Sequence, residues 1–178
     1  MKKTAIVTGA SRGIGRETAL LLSQNGYEVF DLSRSGESKD GIKTVKTDLC
    51  SEEDIIRAFD EIFKERDRLD LLVNNAGFGI SGAVEFTSTA DAKRLFDVNF
   101  FAPFMCSREA VKYLRNSDNP HIVNISSAAA IFPLPFQAFY SASKAAVHSL
   151  SMALSGELLP FGIRVNTVMP GDSKTTFT

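Results

Sequence analysis

The sequence predicts a doubly wound α/β domain built on a parallel sheet, and two observations carry that prediction. Short β-rich runs alternate with long helical patterns, which requires crossover connections between parallel strands. Several of the strand runs, Leu71-Leu72-Val73 and Ile122-Val123 among them, are almost wholly apolar, as expected of strands covered on both faces.

Taken in order, Thr4 to Val7 is the first strand, ending in Thr8-Gly9. A helical pattern starts near Gly13 and runs to about Asn25, where Gly26 supplies a stop. Tyr27 to Leu32 is the second strand, Ser33 to Gly41 a polar turn-rich stretch, and Lys43 to Thr47 the third strand. Ser51 reads as an N-cap, with Asp54 three residues on, before an amphipathic helix that presents Ile55, Ile56, Phe59, Ile62 and Phe63. Leu71 to Asn74 and Ile122 to Ile125 are the fourth and fifth strands, with helix over Ala90–Leu114 between them and Ala138–Leu159 after them. Ile163 to Val168 is the sixth strand, closed by Pro170-Gly171.

The chain has 178 residues, 44% apolar, 23% charged and 10% aromatic, which fits one soluble globular domain at about 150 residues per domain. A chain of this size buries about 70% of its unfolded surface, so its core needs no disulfide or metal. Net charge is −1, with no basic stripe, which argues against nucleic acid as a partner. Cys50 and Cys106 are too few for a disulfide framework or a zinc site. Gly9 follows the start too soon for a secretory segment, and no run reaches the roughly 18 apolar residues of a membrane span. The cytoplasm is the expected compartment.

The turn Thr8-Gly9-Ala10-Ser11-Arg12-Gly13-Ile14-Gly15 lies between the first strand and the first helix. A phosphate-bearing ligand needs a tight turn, a backbone it can touch and a free helix N-terminus. Gly9 suits the turn, Gly13 the close approach and Gly15 the packing of helix on sheet. The octet resembles the Thr-Gly-x-x-x-Gly-x-Gly signature of the short-chain dehydrogenase/reductase family, in its compact single-domain branch. Further motifs follow in order over the whole chain: Asp48-Leu49, Asn74-Asn75-Ala76-Gly77, then Asn99, Ser127, Tyr140 and Lys144, which match the family's catalytic positions, and finally Pro170-Gly171.

The resemblance implies a Rossmann-like sheet of strand order 3-2-1-4-5-6 and a single dinucleotide-binding domain over 1–178. It implies cofactor contacts from Gly9, Ser11, Arg12, Gly13, Ile14 and Gly15 in the turn, and from Ser33 and Arg34 after the second strand. Asp48 and Leu49 would meet the adenine, and Asn75, Ala76, Gly77, Tyr140 and Lys144 the rest of the dinucleotide. Pro170, Gly171, Ser173 and Thr175 would hold the nicotinamide carboxamide. The resemblance also implies a homodimer or homotetramer. Further helices and a seventh strand would follow the sixth; the chain ends at Thr178, so these C-terminal elements, the substrate lid among them, are expected to be missing.

NAD-selective folds place a carboxylate at the end of the second strand, where it accepts from the ribose 2′-OH and repels a 2′-phosphate. By the family's spacing that position is Ser33, followed by Arg34, and Arg12 adds a second guanidinium suited to phosphate. NADP(H) is therefore the expected cofactor. Asp31, two residues earlier and on the same side of the strand, is the rival that keeps NAD(H) open.

Tyr140 and Lys144 are four residues apart on a helix, hence on one face. A nearby cation favours the phenolate, which makes the tyrosine a usable acid or base near neutral pH. Ser127 would polarise the substrate oxygen, with Ser126 as its competitor. The reaction implied is hydride transfer between NADP(H) and a small-molecule carbonyl or alcohol. The apolar stretch Phe132-Pro133-Leu134-Pro135-Phe136 suggests a hydrophobic substrate or serves packing. Pro103 has no N–H to offer the carbonyl of Asn99, so that carbonyl is free for a water in a relay from Lys144, unless Pro103 simply kinks the helix or sits in its first turn.

Neither histidine, His121 or His148, has a partner at useful spacing, and Phe96, Phe100, Phe101 and Phe104 are expected to serve core and helix packing. Two other readings stand beside the enzyme. One is a catalytically silent dinucleotide sensor. The other is an assembly subunit pairing through Ala142, Ala145, Ala146 and Ala153.

Overall fold

The computed structural model describes residues 2–171. Six parallel strands form one sheet in the order β3-β2-β1-β4-β5-β6: β1 (Lys3–Thr8), β2 (Tyr27–Ser33), β3 (Ile42–Lys46), β4 (Leu71–Asn74), β5 (His121–Ile125) and β6 (Arg164–Val168). Five α-helices accompany them: α1 (Gly13–Gln24), α2 (Glu52–Ile62), α3 (Thr89–Phe96), α4 (Ala102–Leu114) and α5 (Ala138–Leu158). Fold class and strand order are as the sequence predicts, with β3 shifted one residue towards its N-terminus. The predicted cap also forms, the Ser51 hydroxyl accepting from the Asp54 amide at 3.1 Å.

Apolar packing differs between the two faces. On one, Phe59, Ile62, Met105, Cys106, Ala110, Leu114 and Leu158 from α2, α4 and α5 pack on Ile6, Leu32, Leu72 and Ile122 of the sheet. On the other, Ala19 of α1 packs with Val7, Val29 and Val73. On this second face Leu71, Val123 and Ile125 are only half-buried, so coverage of both faces does not extend evenly to β4 and β5 as expected. Within α2, Ile56 is 36% exposed, because it lies one residue, about 100°, round from Ile55.

The helix expected over Ala90–Leu114 is not continuous. A π-helical stretch, Asp97–Phe101, separates α3 from α4, and the Ala102 amide bonds to the Asp97 carbonyl, five residues back. Pro103 occupies the first turn of α4, where its missing N–H disturbs least. The wider turn carries one extra residue and rotates α4 about its axis, so the core face of α4 is Met105, Cys106 and Ala110. Of the four phenylalanines expected to serve core and helix packing, none is fully buried. Phe101 is 46% and Phe104 39% exposed, while Phe96 and Phe100 are half-buried.

Buried polar groups join the elements near the site. The Asn74 amide donates to Asn124 Oδ1 at 2.8 Å and to the Ser107 hydroxyl at 3.1 Å. Asn124 in turn donates to Ser151 at 2.8 Å, which links β4, β5, α4 and α5. In a dry interior such bonds matter because each lost partner leaves a desolvated polar atom, at roughly 1–3 kcal/mol.

Candidate active site

The C-terminal ends of the strands bring most of the predicted residues to one edge of the sheet. Gly9 takes φ +68° to turn the chain out of β1, and its amide bonds to the Leu32 carbonyl at 3.0 Å. Gly15 is forced by space, since a Cβ there would overlap the Asn75 side chain and the Gly9 carbonyl. Gly13 differs: at φ +59° a Cβ would meet no protein atom within 4 Å, so the position is open to a ligand. A backbone approachable at the start of α1 fits a dinucleotide pyrophosphate.

Thr8, to which motif spacing assigns no role, fastens this turn to the loop after β4. Its hydroxyl accepts from the amides of Asn75 and Ala76, each at 3.0 Å. Asn75 Nδ2 returns bonds to the carbonyls of Thr8 and Gly9 at 3.0 and 3.2 Å. Asp48 is exposed and one of its oxygens takes the Cys50 amide at 3.0 Å, whereas the Leu49 side chain lies in the core, leaving its main chain for any cofactor contact.

At the end of β2, Asp31 is 2% exposed and engaged with its own protein. One oxygen accepts the Ala10 amide at 2.7 Å; the other accepts the Ser33 hydroxyl at 2.7 Å and that of Thr44 at 3.5 Å. Burial pushes its carboxyl above the ordinary aspartate value, with the hydrogen bonds opposing. Arg12 and Arg34 are exposed. The cleft beside Asp31 is lined by Ser11, Arg16, Ser35 and Lys39, and Arg16 forms an ion pair with Asp40 at 2.7 Å. Arg16 and Lys39 are thus cations near this cleft that motif spacing does not mark.

The chemical groups meet at α5. Lys144 is 3% exposed, its Nζ donates to the Ile125 carbonyl at 2.9 Å and lies 5.8 Å from the centre of the Tyr140 ring. Burial pulls its ammonium from the usual 10.5 down to about 8. Gly77 is close, since a Cβ on it would sit 3.3 Å from this Nζ and 3.1 Å from Asn99 Oδ1. Asn99, within the π-helical stretch, clamps the main chain of Phe78 at both ends, accepting its amide at 3.0 Å and donating to its carbonyl at 2.9 Å. It also donates to Ser143 at 3.1 Å, whose hydroxyl donates to the Tyr140 carbonyl at 2.8 Å.

The two serines after β5 have different surroundings. Ser126 is 3% exposed and its hydroxyl donates to the Lys144 carbonyl, so it holds the helix in place. Ser127 is half-buried and caps the next turn by accepting the Ala129 amide at 3.2 Å, which leaves its O–H hydrogen to donate. Pro170 reaches the same edge through its carbonyl, which accepts the Ala128 amide at 3.0 Å, and Gly171 is exposed beside it. Ser173 and Thr175 lie outside the described residues.

Residues 3–178 match the short chain dehydrogenase family. The chain belongs to that family. Among curated relatives, the 3-ketodihydrosphingosine reductase of Bacteroides thetaiotaomicron is 38% identical over 97% of this chain and 65% of its own length. The cyclopentanol dehydrogenase of Comamonas testosteroni is 35% identical over 99% of this chain and 75% of its own. The chain therefore spans about two thirds to three quarters of these short-chain dehydrogenases. Among solved structures, the ligand-free aldohexose dehydrogenase of Thermoplasma acidophilum superposes with a TM-score of 0.95 at 35% identity, covering 99% of this chain and 69% of that one. No helix among the described residues is long and apolar enough to cross a membrane.

Proposed function

We propose that this short-chain dehydrogenase chain carries the dinucleotide site and catalytic groups of an NADP(H)-dependent oxidoreductase acting on a carbonyl or alcohol carbon. The observation that carries the reading is Lys144 Nζ beside the Tyr140 ring at the strand ends that also hold the glycine turn. The nicotinamide, when bound, supplies or accepts the hydride. In reduction Ser127 donates a hydrogen bond to the substrate oxygen and Tyr140 delivers the proton. Lys144, still mostly protonated at pH 7, offsets the negative charge left on the tyrosine oxygen. Asn99 and Ser143 act by position, fixing the loop at Phe78 and the first turns of α5.

The internal engagement of Asp31 supports NADP(H). A carboxylate already accepting an amide and two hydroxyls is poorly placed to receive a ribose diol, and Ser33 adds no charge. Arg12 and Arg34 are exposed and offer planar donor forks to a 2′-phosphate. Apolar exposure at Phe101, Phe104 and Met152, on and beside α4 and α5, supports a homodimer or homotetramer.

Absorbance of the reduced nicotinamide, followed with NADPH and then NADH against a panel of ketones, tests the reading. Tyr140→Phe should lower kcat by about 10²- to 10⁴-fold with NADPH affinity retained. Binding of the dinucleotide without turnover would favour a sensor instead. Arg34→Ala should weaken NADPH more than NADH; equal losses would overturn the cofactor preference.

A further inference from the structure

At the C-terminal end of β2 one carboxylate gathers donors from three elements. Asp31 is 2% exposed, and among the described residues no lysine or arginine pairs with it. A buried carboxylate without a cation is costly, so the donors around it must offset that cost. Oδ1 accepts the Ala10 amide of the glycine turn at 2.7 Å. Oδ2 accepts the Ser33 hydroxyl of β2 at 2.7 Å and the Thr44 hydroxyl of β3 at 3.5 Å. Main chain closes over the same oxygen. A Cβ on Gly36 would stand 2.8 Å from Oδ2 and 2.8 Å from the Ser33 oxygen, and would overlap the Thr44 methyl. The loop after β2, which carries Arg34, therefore rests directly on the carboxylate.

The bond to Ala10 has a consequence for the turn. The Gly9 amide is taken by the Leu32 carbonyl at 3.0 Å, so two successive amides of the turn point back at β2. Neither is offered to a ligand. Fixing them orients the peptides that follow, as far as Gly13, where a ligand can approach. The turn needs such a hold because Gly9, at φ +68°, has the widest choice of conformation. Ala10 is 4% exposed, so without the Asp31 oxygen its amide would stay buried and unpaired, or the turn would rotate towards another acceptor.

We propose that Asp31 is a positioning residue that sets dinucleotide affinity by holding the glycine turn and the loop after β2 in one register, acting through its hydrogen bonds and not through its charge. The proposal rests on the reading that this turn takes a dinucleotide. It gives Asp31 no part in receiving the ribose or in choosing between NADP(H) and NAD(H), because both oxygens already face the protein's own donors.

Calorimetric titration of the wild type and two variants with NADPH and with NADH tests it. Asp31→Ala should weaken both dinucleotides by about tenfold and by the same factor, as expected for lost bonds to a charged acceptor. Asp31→Asn should bind both within about twofold of the wild type. Its Oδ1 still accepts the Ala10 amide, and its Nδ2 donates to hydroxyls that can turn round to accept. With a ketone that is turned over, Asp31→Ala should raise KM for the dinucleotide and keep kcat at saturation. Should the alanine variant fail to fold, hydrogen exchange in the wild type decides. The Ala10 amide proton should be as protected as that of Gly9, and exchange at the rate of an open peptide overturns the proposal. Unchanged affinity in Asp31→Ala overturns it too. So does a shift in the ratio of NADPH to NADH affinity shared by the Ala and Asn variants, which would mean that the charge acts directly. A wild-type protein that binds neither dinucleotide overturns the reading of the turn and the proposal with it, whereas the other failures leave that reading standing.

Discussion

Around the glycine turn, hydrogen bonds within the protein hold the backbone in place. Thr8 takes two amides, Asn75 reaches back to two carbonyls, and Asp31 closes on Ala10, Ser33 and Thr44. Across the same strand ends, from Ser127 to Tyr140, six exposed apolar residues are held by a few main-chain bonds and one strained phenylalanine. The difference teaches that the two sides answer different demands. A pyrophosphate needs backbone fixed in advance, since its recognition is by geometry and dipoles. The run after Ser127 presents side chains and not backbone, so what it can recognise depends on the shape and polarity of its surface.

If the dinucleotide side is rigid by design, adding a single carbon there should be severe. Gly15→Ala would drive a Cβ into Asn75 and the Gly9 carbonyl, and backbone cannot easily move aside. We expect a loss of about 3 kcal/mol in urea unfolding, with dinucleotide binding abolished. Gly13→Ala meets no protein atom and should lose only the left-handed strain, about 1 kcal/mol, while still blocking the dinucleotide. Equal losses at the two positions would erase the distinction between packed and open glycines.

Lys144 belongs to both regions and should show a conflict between stability and chemistry. Its folded value near 8 lies below the usual 10.5, so the charged form is disfavoured by folding. The penalty is full below pH 8, fades between pH 8 and 10.5, and is absent above, where both states are neutral. Lys144→Met should therefore stabilise the protein by about 2 kcal/mol at pH 7, allowing about 1 kcal/mol for the lost bond to Ile125. That advantage should shrink as the pH rises towards 10.5, and turnover should be lost throughout. A pH-independent difference in unfolding free energy would contradict the assignment of burial as the cause.

Most of the sheet is legible in the sequence because apolar runs and crossovers are local signals, and the candidate site is proposed from Gly9, Gly13, Gly15, Tyr140 and Lys144 because they stand at motif spacing. The π-helical stretch is not. The missing N–H of Pro103 marks the disturbance, but an extra residue per turn and a kink look alike in sequence, so the pattern alone does not show that Phe101 and Phe104 face outward. Asp31 can be seen but not its partners, since Ala10 and Thr44 reach it through the sheet. Ser107, Asn124 and Ser151 give only the weak signal of polar residues within apolar patterns. The left-handed Phe136 gives none, because a phenylalanine carries no local preference for positive φ.

The smallest expected effect separates the two regions most directly. On the dinucleotide side, replacing a left-handed glycine destabilises; on the substrate side, introducing one should do the reverse. Phe136→Gly releases a left-handed strain of about 1–2 kcal/mol at φ +64°. Against this, glycine gives the unfolded chain more freedom, which costs about 0.5–1 kcal/mol. The ring is 67% exposed, so little buried apolar area is lost with it. The net expectation is a gain of about 0.5 kcal/mol, measured by urea unfolding, together with reduced aggregation because one exposed aromatic is gone. A loss of 1 kcal/mol or more would mean that the ring packs in solution, and that the run owes its shape to side-chain contact instead of to the bond from the Gly82 amide to the Phe136 carbonyl.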